Sequence, residues 1–178
     1  NGTPQAGQTV GFNSTRGTLS SSTAVTDGSG NASVTISSTQ SGPAVITASG
    51  TGVTAQVTID FVATSPATVV LQASPSTVAI QGQSTLTAIV RDASNNLVEG
   101  VVVDFTLADI TGGSLSVAAA TTDSQGRATT VYTASSTTSS KDGVVVTAST
   151  GAATPGTAKI TVAGQTLFLS LGTGNTIN

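Results

Sequence analysis

The sequence predicts an all-β protein built of tandem antiparallel β-sandwiches, and three observations carry that prediction. Apolar and polar residues alternate with a period of two along most of the chain, as in strands with one buried and one solvated face. Thr and Val dominate: the 178 residues include 34 Thr and 24 Ser, and β-branched side chains are stiff at χ1 and suit a pleated surface. Segments of the first half return in the second half in the same order, so one scaffold is used more than once. No stretch shows a helical period, and Gly and Ser/Thr clusters punctuate the chain too often for helices.

Taken in order, the elements of the first half each have a later counterpart. Gly7-Gln8-Thr9-Val10-Gly11-Phe12 matches Gly100-Val101-Val102-Val103-Asp104-Phe105, which makes Phe12 and Phe105 matched core anchors. Thr26-Asp27-Gly28-Ser29-Gly30-Asn31-Ala32 returns as Thr122-Asp123-Ser124-Gln125-Gly126-Arg127-Ala128. This is turn chemistry: Asp27 and Asp123 can accept backbone N–H bonds two residues on, and Gly30 and Gly126 supply the positive φ of a reversal. Ala32 and Ala128 are small enough to start a strand at a tight corner. Ile46-Thr47-Ala48-Ser49 matches Val146-Thr147-Ala148-Ser149, and Thr54-Ala55-Gln56-Val57-Thr58-Ile59 matches Thr157-Ala158-Lys159-Ile160-Thr161-Val162. A third copy opens at the end, where Thr166-Leu167-Phe168-Leu169 and Asn175-Thr176-Ile177 repeat Thr68-Val69-Val70-Leu71 and Ser76-Thr77-Val78. The repeat is about 100 residues, the size of one sandwich. The expected organisation is the later part of one copy (1–63), a whole copy (64–165) and the first strand of a third (166–178), a window across a longer array.

Within the complete copy, Leu86, Ala88 and Val90 share the inner face of a strand that turns Thr85, Thr87 and Arg91 outward. The next strand sends Val101, Val103, Phe105 and Leu107 inward, and Asp92-Ala93-Ser94-Asn95-Asn96 between the two predicts a hairpin. Ala128, Thr130 and Tyr132 form another inner set, followed by Val144, Val146 and Ala148, then by Ala158, Ile160 and Val162. Tyr132, the only Tyr, is expected in the core. Ser135 to Ser140 reads as a lengthened, solvated hairpin loop.

At Val101-Val102-Val103-Asp104-Phe105, Gly113-Ser114-Leu115, Thr122 to Ala128 and Val146-Thr147-Ala148 the sequence resembles the bacterial immunoglobulin-like group 1 domain. That resemblance covers the whole chain as one module plus two pieces. It implies tandem immunoglobulin-like sandwiches with Greek-key connections, of the kind that build the extracellular stalks of invasin- and intimin-like adhesins on a bacterial surface. It also implies that a barrel anchor and a binding tip lie outside this segment. The Cys…Trp…Cys pattern of antibody domains is absent, so the likeness is to the bacterial branch.

Composition excludes most other classes. With no His and no Cys there is no Ser-His-Asp or Cys-His pair, no thiolate nucleophile, no disulfide and no thiolate-bound metal. The expected catalytic, cofactor and metal sites are therefore none, and the chain is not expected to be an enzyme. Five Lys+Arg against eight Asp+Glu, for a net charge of -3, cannot neutralise a nucleic-acid backbone. No run of about 18 apolar residues spans a membrane. The Asp-x-x-Gly turns lack the closing Glu and the six to eight oxygens of a calcium loop. Glu99, Asp104 and Asp109 are the one carboxylate cluster in the sequence and are expected on a solvated surface. Asn1, Asn13 and Asn31 open Asn-x-Ser/Thr triplets that a Ser/Thr-rich chain generates by chance.

Three functions compete. In the first, the modules are rigid spacers whose partners are the neighbouring repeats of the same chain, with a host receptor or glycan engaged by regions outside the segment. Short junctions at Asp60 to Pro66 and at Ala163-Gly164-Gln165 supply the rigidity, because Pro66 fixes φ and holds Ser65 extended. In the second, an exposed surface binds carbohydrate or a host protein, although only five aromatics are present (Phe12, Phe61, Phe105, Tyr132, Phe168). In the third, copies of the chain add strands to one another's open first module and build a head-to-tail filament.

Overall fold

The computed structural model of the chain describes residues 2–164, and every regular element among them is a β-strand. The first unit contains β1 (Thr9–Ser14), β2 (Thr18–Leu19), β3 (Thr23–Val25), β4 (Ile36–Ser37), β5 (Gly42–Gly50) and β6 (Val53–Phe61). The second contains β7 (Thr68–Ser74), β8 (Thr77–Ala79), β9 (Gln83–Arg91), β10 (Val102–Ala108) and β11 (Ser114–Leu115). It continues with β12 (Ala119–Thr121), β13 (Arg127–Thr133), β14 (Val144–Ser149) and β15 (Gly156–Ala163). The fold is all-β and immunoglobulin-like.

The second unit is a two-layer sandwich. One sheet has the order β12-β10-β14-β15-β8 and the other β11-β13-β9-β7. All neighbours are antiparallel except β15 and β8, which pair in parallel, Val162 opposite Val78. The inner faces carry the residues that alternation selected: Leu86, Ala88, Val90, Val103, Phe105, Ala128, Tyr132, Val144, Val146, Ala148, Ile160 and Val162 are all buried, most of them completely. Small and branched side chains meet across the layers, so aromatic volume is needed only at Phe105 and Tyr132, which fits the low aromatic content.

The first unit repeats half of this plan. Its sheet β3-β1-β5-β6 has the order of β12-β10-β14-β15, and β2-β4 stands where β11-β13 stands. Register follows: Phe12 lies opposite Ala48 as Phe105 lies opposite Ala148, and Leu19 opposite Ile36 as Leu115 opposite Tyr132. No described strand of this unit takes the places of β7, β8 and β9. Burial differs accordingly. Only Ala44 is buried among its apolar residues, and Phe12 is half-buried where Phe105 is enclosed.

Three expectations need correction. The Asp92–Asn96 turn does not join two strands of one sheet. It closes a tight reversal in which Val98 N donates to Val90 O, and β10 then enters the opposite sheet. Ser135 to Ser140 likewise links β13 to β14 across the layers rather than forming a hairpin. Alternation tells inside from outside, but two sheets share one inside, so it cannot say which sheet a strand joins. The match of β6 to β15 also shifts by two residues. Ala44 pairs with Ile59 and Val144 with Ile160, so Ile59 corresponds to Ile160. A slip of two keeps every side chain on its own face, which is why the sequence pattern does not expose it. The strand expected at 166–178 lies outside the described residues.

Candidate functional site

The repeated turn is built as its composition suggests. The Asp27 carboxylate accepts from the N–H of Ser29 and of Asn31, both at 2.9 Å, and Gly30 N donates to Asp27 O. Asp123 accepts from the N–H of Gln125 at 2.8 Å and of Arg127 at 3.0 Å, and Gly126 N donates to Asp123 O. Gly30 and Gly126 have φ of 77° and 65°, the left-handed region that glycine enters without strain. In both turns one carboxylate oxygen, Oδ1, takes the two backbone donors of its own loop, and no group of three metal-binding side chains gathers among the described residues.

The same device occurs a third time, unmarked by glycine. Asp92 accepts from the N–H of Ser94 and Asn96, Asn95 N donates to Asp92 O, and Asn95 takes the positive φ, 68°. Asn is the non-glycine residue best suited to that conformation. Here the turn does more than reverse the chain. The Asn96 side-chain amide donates at 2.8 Å to Asp92 Oδ2 and at 2.8 Å to the Thr39 carbonyl of the first unit. Its Oδ1 accepts from Ser41 N at 3.1 Å. One side chain thus uses donor and acceptor to clamp the Thr39–Ser41 loop of the neighbouring unit, while Asp92 fixes its orientation. The Asn96 side-chain amide, followed by the backbone N–H groups of Asn96 and Ser94, outweighs burial and holds the Asp92 carboxyl below its ordinary range.

Two further features complete this joint. Ala63 pairs with Val98 in a parallel bridge, so the connecting chain is tied to the second unit as it arrives. A groove of 680 Å³ runs between the units past Gly42, Asp60, Phe61, Leu97, Glu99 and Ser124. Its wall sets the apolar Phe61, Val62, Ala63 and Leu97 beside polar groups that include the carboxylates of Asp60 and Glu99. Sequence reading found the turn at Asp92–Asn96 and the short connection at Pro66, but not that Asn96 joins the two. The Asp-x-x-Asn-Asn spacing is a signal for the turn alone.

The remaining named residues lie apart from the joint. Phe12 and Phe105 occupy equivalent inner positions, and Tyr132 is fully buried. Glu99 and Asp104 are exposed, but Asp109 departs from the expected solvated surface. It accepts from Tyr132 Oη at 2.7 Å, from Thr111 N at 2.7 Å and from Gly113 N at 2.8 Å. Burial opposes its charge, yet the Thr111 and Tyr132 hydroxyls and the two N–H groups outweigh burial and lower its pKa. Burial first, and then Asp109, push the Tyr132 hydroxyl up to about 12. The pair pins the β10–β11 loop to the core, a satisfied internal bond rather than an acid/base couple. The only phenol is thereby provided with the partner it needs when buried.

Comparison with known proteins agrees with this architecture. Residues 1–62 match the family described as bacterial Ig-like domain, group 1. A stretch of 139 residues is 38% identical to the inverse autotransporter adhesin YeeJ of Escherichia coli K12, 73% of this chain but 6% of that protein. The chain thus spans a small fraction of the curated relative it matches. Among solved structures, InvD of Yersinia pseudotuberculosis superposes with a TM-score of 0.68 at 21% identity, over 98% of this chain and 52% of that one. The Escherichia coli adhesin FdeC superposes with a TM-score of 0.64 at 18% identity, over 92% and 61% respectively. These two likenesses are of fold.

Proposed function

Since residues 1–62 belong to the bacterial Ig-like domain family, group 1, and most of the chain is kin to an adhesin, we propose that the chain is a spacer segment. It holds a binding tip away from a bacterial cell surface. The modules are the later part of one repeat (1–63), a whole repeat (64–165) and the start of a third (166–178). The observation that carries this reading is the clamp of Asn96 on Thr39 and Ser41, supported by the Ala63–Val98 bridge. A stalk transmits position only if its joints resist bending, and a joint tied by side chain and backbone resists more than a bare linker. The chain's partners in this role are its own neighbouring repeats, and it is extracellular. It carries out no reaction.

Binding measurements test the reading. The purified chain, applied to a glycan array and to immobilised host-cell extract, is expected to give no saturable signal. Saturable binding in the micromolar range or tighter, mapped to an exposed face of the second unit, would refute a purely mechanical role.

A further inference from the structure

The chain enters the second unit on β7 and leaves it on β15, and these two strands run the same way along the module. β15 pairs in parallel with β8, the continuation of β7, with Thr161 opposite Thr77 and Ala163 opposite Ala79. There Thr161 N donates to Ser76 O at 2.9 Å. At the other end Thr68 bridges Thr154 in parallel, where Val69 N donates to Thr154 O and Thr154 N to Ala67 O, both at 2.9 Å. The entering segment is thus bonded to the leaving one at both ends of the module. It also belongs to both layers, since β7 pairs with β9 in one sheet and β8 with β15 in the other.

Between these two sets of bonds the seam is held by close approach. Gly156 lies against β7 with no room for a side chain: a Cβ there would stand 2.6 Å from Val69 O and 2.7 Å from Leu71 N. A glycine within a strand marks such a place, where another backbone comes close. Val69, Leu71, Val78, Ala158, Ile160 and Val162, all buried, close the seam from the core side.

We propose that this parallel seam between β7–β8 and β15 is the element that carries tension through the module. When the module is pulled from its two ends, β7 is drawn toward its own start and β15 toward its own end. Because the two run in parallel, the pull acts along the strands and across their hydrogen bonds. The bonds at Ala67–Val69 and at Ser76–Ala79 then share the load and must fail together. Antiparallel first and last strands would instead be unzipped by the same pull, giving up their bonds one at a time. The proposal deepens the spacer reading and rests on it for the source of the load, since a stalk fixed at one end and held at the other is stretched along its length. The bonds of Asn96 act at the joint, whereas the seam keeps the module folded under tension.

Single-molecule stretching of the folded chain tests this, with handles on introduced cysteines because the chain has none of its own. The exposed pair Ser65→Cys and Gly164→Cys pulls the module end to end, whereas Ile80→Cys with Gly164→Cys pulls the adjacent ends of β8 and β15 apart. At one loading rate the first pair is expected to need about twice the force of the second or more, because forced unfolding reads the barrier along the pulled direction. Gly156→Ala pushes β7 away from β15. It is expected to lower the end-to-end force by about a third or more and to leave the peeling force unchanged. An end-to-end force no higher than the peeling force would overturn the proposal. So would a Gly156→Ala chain whose end-to-end force is unchanged or falls only in step with the peeling force, the mark of a general loss of stability. The two handle pairs differ only in where the pull is applied, so their comparison decides the matter even where Gly156→Ala does not fold. Saturable binding of a glycan or host protein would defeat the spacer role and leave both forces as they are.

Discussion

Single residues carry charge and strain in ways that predict measurable losses. Asp109 has its pKa lowered by hydrogen bonds that overcome burial, so its contribution is complete above the unfolded carboxyl range. That contribution is lost as pH falls through the folded value. Tyr132 is the mirror case: raised to about 12, its contribution is complete below the ordinary phenol value of about 10 and disappears between there and about 12. Thermal melts across pH are therefore expected to show the second unit weakening below about pH 4 and again above about pH 10. Tyr132→Phe is expected to abolish the alkaline limb and to cost about 1–2 kcal/mol in denaturant titration at neutral pH, since Asp109 loses a donor in a part-buried site. Gly126→Ala places a Cβ 2.9 Å from the Val90 carbonyl at a φ of 65°. Unfolding midpoints are expected to report about 2 kcal/mol of destabilisation.

At the scale of elements, the two units differ in how much each strand contributes. Ile160→Ala in β15 removes a fully buried side chain and is expected to cost about 2–5 kcal/mol. Val57→Ala at the corresponding face of β6 removes one that is 56% exposed and is expected to change stability by under about 1 kcal/mol. Both are read by denaturant unfolding, with the two units followed separately by hydrogen exchange. Inner faces of β9, β10, β13, β14 and β15 were legible because a period of two marks the side facing the core. Their distribution between sheets was not, since Leu86 and Phe105 point into the same core from opposite layers. The Asp27 and Asp123 turns were legible because glycine marks them. The Asp92 turn hid its role, since Asn95 replaces the glycine and Asn96 makes its decisive bonds to Thr39 and Ser41, more than fifty positions away.

At the scale of the whole molecule the proposed spacer role is mechanical: it requires that two units related to adhesin modules keep one relative orientation through the bonds of Asn96 to Thr39, Ser41 and Asp92. Removing the Asn96 amide leaves both cores intact and loosens the joint alone. Acid does the same by protonating Asp92, whose lowered pKa places the loosening below the ordinary carboxyl range. Spin labels test this cleanly because the chain has no native Cys. Thr58→Cys in β6 and Thr129→Cys in β13 put exposed labels on strands of the two units. The most direct measurement is the pulsed-dipolar distance distribution between them at neutral pH. One narrow distribution, broadened by Asn96→Ala with unit stability unchanged, is the predicted result. A broad distribution in the unsubstituted chain, or a narrow one indifferent to Asn96→Ala, would contradict the account.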